Sequence, residues 1–413
     1  VPSNNFTNTS WVSMEILRLL VNKLVVSEYF NRNWEKDFNK EFAPGSSIQI
    51  KFPQRFQTVD GMGYAPQGIN RISTTVALDT WIQVPFEWDD YERAVKLERS
   101  EQELRENYWE PAGAAIGQAI DSKAANWARY NTSNIIGQLG TDPTTVQTYY
   151  QARAILEKEA CMPGKRCMLI STNMMVSIGS NITNVFHPSD QITRMWKQGS
   201  IGELAAFEFF ESNSLWTHTA GTWAGIVKVV GSNQSGAAIS IQGTAGDTIM
   251  PGDKFAFTAV NMVNPMTYRS AGPLIPRVFT YPGPAPITLT GGTDTVPILP
   301  PLYGPGSQYQ NVDALPLNNA NLTLWPGTTA PNGKTGTIGL ALSREAFALV
   351  GGKLYLPKAV ESAAQQQDPD SGIAVRKVIA WDPVRSMQVN RYDSLIGFGN
   401  LYQQNGAVAV LGA

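Results

Sequence analysis

The chain has 413 residues, 16% of them charged and 43% hydrophobic, with a formal net charge of −2. That length exceeds one comfortable core, so two or more packed units are expected, with the extensive buried surface of a folded protein. The balance leaves no basic footprint for tight nucleic-acid binding, and no apolar run reaches the ~18 residues of a membrane span.

Residues 1–10 are polar and without pattern, which predicts a mobile arm. Trp11, Met14, Leu17, Val21, Leu24 and Val25 then form a helical stripe. Ile48, Ile50 and Phe52 alternate with polar residues, Gly61-Met62-Gly63 marks a tip, and Val76, Leu78, Ile82, Val84, Phe86 and Trp88 alternate on the way back. The pattern is a long two-stranded ribbon with little core of its own. An isolated hairpin is marginal in water, so the ribbon must lie on something else.

Residues 100–130 read as one long helix. Ser100 and Glu103 have capping-box spacing. Leu104, Tyr108, Ala112, Ala115, Ile116, Ala119, Ile120 and Trp127 share a face, and Arg99–Glu103 and Glu101–Arg105 are spaced to pair locally. Pro111 cannot donate its hydrogen bond and should kink or restart the helix. Asp142-Pro143 supplies an N-cap and N1 for a next helix, striped by Val146, Tyr149, Tyr150, Leu156 and Ala160. A strand is expected at 167–170, a helix capped by Ser171 or Thr172 through Ile182, and a further helix or pair over 191–210 broken by Gly199 and Gly202. This alternation describes an α/β layer.

Composition changes near Trp216. Residues 216–340 carry nine charges (Lys228, Asp247, Asp253, Lys254, Arg269, Arg277, Asp294, Asp313, Lys334) and fourteen of the 26 prolines. Short β-type runs at 224–230, 238–242, 254–260 and 278–281, separated by Gly, Pro and Asn turns, predict a small all-β barrel. The Pro-rich stretch 281–305 is expected to be a loop, because proline cannot serve a central ladder. Helix signals return at 343–350 and strands at 353–356, 375–381 and 407–411. The chain thus leaves the α/β layer, builds a barrel and comes back, which is an insertion rather than a tandem domain.

No constellation of residues supports catalysis. His187 and His218 lack metal-ligand spacing and are expected on loops or the surface. Asp89 and Asp90 are neighbours on a predicted strand and point to opposite faces, which excludes a paired dyad. Asp368, Asp370 and Ser371 lack the twelve-residue pattern of a calcium loop, and Gly61/Gly63 and Gly291-Gly292 are turns rather than phosphate cradles. Cys161 and Cys167 flank a short Met-Pro-Gly turn and are expected to be reduced thiols. No catalytic, cofactor-binding or metal-binding residue is assigned. Trp81, Phe86, Trp88, Tyr108, Trp109 and Trp127 gather around the ribbon base and the long helix, about two thirds of them expected in packing and the rest at interfaces.

Four segments, in order along nearly the whole chain, carry a resemblance: FNKEFAPGSSIQIKFPQR at 38–55, WEPAGAAIGQAID at 109–121, GDKFAF at 252–257 and SMQVNRYDSLIGFGNLYQQNGAVAVLG at 386–412. Together they resemble the coat protein of a tailed double-stranded DNA bacteriophage with the HK97-like fold, more narrowly the short-tailed enterobacterial subgroup with an inserted I-domain. The resemblance implies an α+β chain with an N-arm (1–44), an E-loop hairpin (45–85) and a P-domain with a long spine helix (86–160). An A-domain in two parts (161–215 and 341–413) would flank an inserted barrel (216–340). It implies self-assembly as pentamers and hexamers into an icosahedral shell enclosing DNA without sequence-specific binding. It also implies a scaffolding protein and a portal as partners, no cofactor, no membrane, and a place in the virion after assembly in the host cytoplasm. No charged-then-apolar leader is visible, which fits that expectation. Pro111, Gly113 and Gly117 become candidate flexing points, and Met62 and Trp109 candidate interface residues. Some relatives crosslink through an E-loop lysine, but Lys51 stands alone and no crosslink is expected. The alternative within the same architecture is an encapsulin-like nanocompartment shell protein; outside it stands a secreted β-rich adhesin, which the long amphipathic helix and the missing leader oppose.

Overall fold

The computed structural model describes residues 9–21, 24–32, 47–52, 55–56, 61–62, 66–69, 72–89, 105–182, 202–270, 274–326, 332–358, 360–368 and 372–413. The capping box at Ser100, both charge pairs at the helix start, His187, Asp90 and Asp370 lie outside the described residues, as do residues 1–8 of the arm and 191–201 of the expected helix at 191–210. The chain divides into two compact units: Val1–Ile50, Ser73–Ala124 and Phe347–Asn400 form one, and Lys51–Ile72, Ala125–Ala346 and Leu401–Ala413 the other.

In the first unit the long strand Met387–Asn400 pairs antiparallel with Thr80–Asp89, Ala374–Asp382 and Phe347–Gly352, and Ser362–Gln367 extends the sheet beyond Ala374–Asp382. The sequence reading placed Ile82–Trp88 on the ribbon. The structure puts them here instead, while among the described residues Ser47–Lys51 pairs with Ser73–Ala77 alone. The reason is the partner: ten consecutive residues, Thr80 to Asp89, match Met387–Ile396 in register. Behind that strand Ser73–Ala77 passes so closely that a Cβ on Gly397 would sit 2.0 Å from Ala77 O, and one on Gly399 2.2 Å from Val76 Cγ2. Helix α1 (Thr9–Val21) lies against Ser362–Gln367 and Ala374–Asp382. It buries Ser13, Ile16, Leu17 and Leu20, whereas Met14 of the predicted stripe is 54% exposed.

One carboxylate organises this sheet. Asp393 is fully buried and accepts from Arg376 Nε at 3.1 Å and from Arg376 Nη2, from Arg391 Nε at 2.6 Å and from Trp81 Nε1 at 3.1 Å. Both guanidinium groups also stand over the Trp81 ring, at 5.5 and 5.4 Å. Breaking a buried pair strands its partner, so Asp393→Ala is expected to cost about 3–5 kcal/mol in urea unfolding. A loss under 1 kcal/mol would show that the cluster does not hold the sheet.

The second unit has a seven-stranded mixed sheet in the order Asn134–Gly137, Ala407–Leu411, Thr335–Ser343, Arg166–Ile170, Phe207–Glu211, Glu203–Leu204, with Thr217–Thr219 paired to the start of Thr335–Ser343. Ala407–Leu411 and Arg166–Ile170 are buried at every position, which is why 407–411 and 167–170 read as unbroken apolar runs. Helices α3 (Val146–Lys158) and α4 (Thr172–Ile182) supply Tyr149, Leu156, Met174 and Ile178 to the core over this sheet. Ser171 Oγ caps α4 by accepting from Met174 N at 3.3 Å. The N-cap of α3 is Thr145, not Asp142; the Asp142 carboxylate accepts from Ala413 N at 3.0 Å instead, and Tyr150 is exposed.

Between the paired strands Thr217–Thr219 and Thr335–Ser343 stands the barrel, in the order Leu322–Leu324, Lys254–Asn261, Pro276–Thr280, Asp294–Leu302, Gly236–Gln242, Lys228–Val229. A bridge between Lys228 and Asn321 closes it. Its core holds Ile239, Ile241, Phe255, Phe257, Phe279, Val296, Ile298 and Leu322. The expected loop at 281–305 contains the strand Asp294–Leu302, prolines included. Pro300 and Pro301 are tolerated because the ladder to Gly236–Gln242 breaks between Gly236 and Ala238, and only Leu299 pairs with Pro276–Thr280. The expected helix at 343–350 is also a strand, Phe347–Gly352, and 203–204 and 207–211 are strands rather than helix.

Candidate functional site

The long helix α2 (Glu110–Asn131) follows a π-helical turn at Arg105–Trp109. Pro111 occupies its first turn, where a missing N–H costs no intrahelical bond, so the helix restarts there. Its buried face runs through Ala112, Gly113, Ile116, Gly117, Ile120, Asp121, Ala124 and Ala128 at steps of three and four. That face is rotated from the expected one: Ala115 is exposed, and Gly113, Gly117 and Asp121 take its place. Trp109 is 3% exposed, with the Lys377 ammonium 5.8 Å from its ring. Lys377 lies equally close to the Tyr392 ring, and burial lowers its pKa to about 8. Met62 stands fully exposed at 106%.

Asp121 is the charged residue on that face, and the N-terminal segment wraps onto it. Its carboxylate accepts from Val25 N at 2.6 Å, Val26 N at 3.2 Å, Ser27 N at 3.0 Å and Ser27 Oγ at 2.6 Å. Beyond this clamp Asn31 exchanges backbone bonds with Phe347 and Leu349, and Phe30 packs on Phe347 and Phe398. Asp121→Ala leaves three backbone donors without their acceptor and is expected to cost about 2–4 kcal/mol. The check is urea unfolding with limited proteolysis: cleavage near residues 24–32 should accelerate, and an unchanged pattern would refute the clamp.

At the other end of α2 the last carbonyls are taken by three side chains. Asn131 Nδ2 donates to Trp127 O at 2.9 Å, Thr132 Oγ1 to Ala128 O at 2.8 Å, and Lys254 Nζ to Arg129 O at 3.1 Å. Lys254 Nζ also donates to Thr132 O and, at 3.2 Å, to Thr280 Oγ1. Its neighbour Asp253, fully buried, accepts from Trp325 Nε1 at 3.0 Å, Gly221 N at 3.0 Å and Met250 N at 2.7 Å, and bonds His218 Nε2 at 2.8 Å. His218, expected on a loop or the surface, is therefore buried at the barrel's base. A second ionic joint links Arg277 on the barrel to Glu159 at the end of α3, both buried. Burial raises the Glu159 pKa, with Arg277 acting against it. Asp253, Lys254 and Arg277 were legible as rare charges in a neutral stretch, but their roles as anchors were not.

Burial lowers the Lys254 pKa from 10.5 to about 7, with Asp253 opposing and Arg129 adding to the shift. Above about 7 the folded chain has lost a proton that the unfolded chain keeps up to 10.5, so stability from this group rises with pH across that window and is least below it. Wild-type Tm, relative to Lys254→Met, is expected to rise from about pH 7 to about pH 9.5; a difference independent of pH would count against a buried ammonium. Arg277→Met is expected to cost about 3–5 kcal/mol, with most of it recovered in the Glu159→Leu/Arg277→Met double variant. Additive losses in chemical denaturation would deny the coupling.

Among the described residues no group of three or more His, Cys, Asp or Glu could hold a metal ion, and no helix is long and apolar enough to cross a membrane. Neither Cys161 nor Cys167 takes part in a disulfide.

No protein-family model matches the chain, and no curated protein matches it. Among solved structures it is similar to a chain from Mycobacterium phage Che8, with a TM-score of 0.47 and 12% identity over 94% of this chain and 92% of that one. A structure of the capsid of Ralstonia phage GP4 gives 0.45 and 7% identity over 94% and 90%. A virus-like particle from Pyrococcus furiosus gives 0.40 and 7% over 97% of both chains.

Proposed function

We propose that this chain is a shell-forming coat protein, assembling as pentamers and hexamers into an icosahedral phage capsid of the HK97-like fold around double-stranded DNA. The observation that carries the reading is the connection between the paired strands Ser47–Lys51 and Ser73–Ala77. It exposes Met62 and Ile69, large apolar side chains 106% and 72% exposed, as well as Phe56. In this reading the exposed apolar side chains are covered when a neighbouring subunit packs on them. Support comes also from the sequence resemblance at 38–55, 109–121, 252–257 and 386–412, from a long helix restarted at a proline, and from a barrel inserted between two paired strands. In this reading Met62 meets a neighbouring subunit, and Pro111, Gly113 and Gly117 let the helix adjust as the shell matures. Scaffolding and portal proteins are its partners.

Negative-stain electron microscopy of the chain, expressed alone and with a scaffolding protein, tests the proposal. Closed shells, or tubes of capsomer-like units, are expected; a small discrete particle under both conditions would defeat it. Shells filled with protein instead of nucleic acid would favour the encapsulin-like alternative. The Met62→Asp/Ile69→Asp variant is expected to keep its Tm within about 3 °C, as surface substitutions do, while losing assembly by at least tenfold. Normal shells from it would remove the exposed connection from the interface.

A further inference from the structure

A cleft of about 360 Å³ opens within the second unit, lined mainly by apolar surface. Three of its lining segments are closed on themselves by backbone bonds. Cys161 N donates to Leu156 O at 2.9 Å, Tyr268 N to Asn264 O at 2.9 Å, and Gly406 N to Tyr402 O at 2.8 Å. A further segment is held differently. Arg55 and Phe56, from the connection between Ser47–Lys51 and Ser73–Ala77, line the cleft without any backbone–backbone bond among the described residues. What holds them is a side-chain clip: Gln308 Nε2 donates to Arg55 O at 2.5 Å, and the Arg55 guanidinium stands 5.9 Å from the Tyr309 ring. Both partners sit in the barrel loop between Asp294–Leu302 and Leu322–Leu324, where Tyr268 Oη donates to Gln308 O at 2.9 Å. Phe56, one residue beyond the clip, is 63% exposed.

A large apolar ring in solvent beside an unfilled apolar cleft is unfavourable twice over. The exposed ring forgoes the free energy of burial, and the atoms lining the void lack packing partners. One displacement removes both. We propose that residues 55–56 form a strap that closes over the cleft, Phe56 turning in to fill it and Arg55, clipped to the barrel loop, acting as the pivot. The arrangement described is the open position. A segment with so few contacts opens and closes while the elements around it stay fixed. Phe56 also leads into the stretch that carries Met62 and Ile69, so the strap sets where those exposed side chains begin. That consequence for assembly rests on the coat-protein reading; the strap itself does not.

Cys161 lines the cleft and is partly exposed, whereas Cys167 is fully buried, so the chain carries its own reporter and its own control. The experiment is the rate of iodoacetamide alkylation at both, read by mass spectrometry on the full, unassembled chain. Phe56→Ala is expected to speed Cys161 alkylation at least threefold while Cys167 stays unreactive. Gln308→Ala changes no lining residue and is expected to speed it comparably by freeing the pivot, with the double variant no faster than Phe56→Ala. An unchanged Cys161 rate in Phe56→Ala, or equal acceleration at Cys167, would overturn the strap. A wild-type rate in Gln308→Ala, or a faster double variant, would make Phe56 a fixed wall and overturn closure about the clip. Gln308→Ala also keeps the exposed connection's own side chains and is expected to raise the critical concentration for assembly at least threefold. An unchanged critical concentration beside a faster Cys161 would overturn the link to assembly alone, and the alkylation rates are read whether or not shells form.

Discussion

Lys254 places an ammonium in a fully buried position at the C-terminal end of the long helix, and the second unit is arranged to make that burial tolerable. The helix end offers carbonyl oxygens and the negative pole of its dipole, which a cation satisfies. Asp253, the residue just before that strand, supplies the opposite charge, and its own oxygens are filled by donors from three separate places. Two of those, Gly221 and Trp325, belong to the segments by which the chain enters and leaves the barrel. The end of the helix and both barrel connections are therefore held by two adjacent side chains at the start of one strand.

The same device recurs. Asp121 gathers the N-terminal segment, Asp393 the long strand and its flanking arginines, and Glu159 with Arg277 joins a helix end to the barrel. Each brings together segments distant in sequence, and each is buried. Removing a partner leaves a stranded charge, while replacing a whole pair by matched apolar groups can be neutral or favourable. Their contribution is thus to select one arrangement of segments. The apolar cores, rich in Ile, Val, Leu and Phe, supply the larger part of the stabilisation.

Polar anchoring also relates interior to surface. In a barrel stretch with nine charged residues, Asp247, Asp253, Lys254 and Arg277 are all buried. Few charges remain for its outer face. The exposed apolar side chains between Ser47–Lys51 and Ser73–Ala77 make the opposite choice, keeping hydrophobic area where solvent reaches it.

Signals that arise within one element were legible in the amino-acid sequence. The restart at Pro111 follows from a missing donor, the strand Ala407–Leu411 from an unbroken apolar run, the strand beginning at Lys254 from its flanking turn, and the barrel insertion from a shift in charge and proline content. What depends on a distant partner was not legible. Residues 343–350 are apolar enough for a helix, and only pairing with Met387–Asn400 makes Phe347–Gly352 a strand. Pro300 and Pro301 enter a strand because the neighbouring ladder is broken where they lie. His218 is buried because Asp253, thirty-five residues away, offers it a carboxylate. Local periodicity determines which elements form; long-range hydrogen bonding and burial decide which partner each takes and which face turns inward.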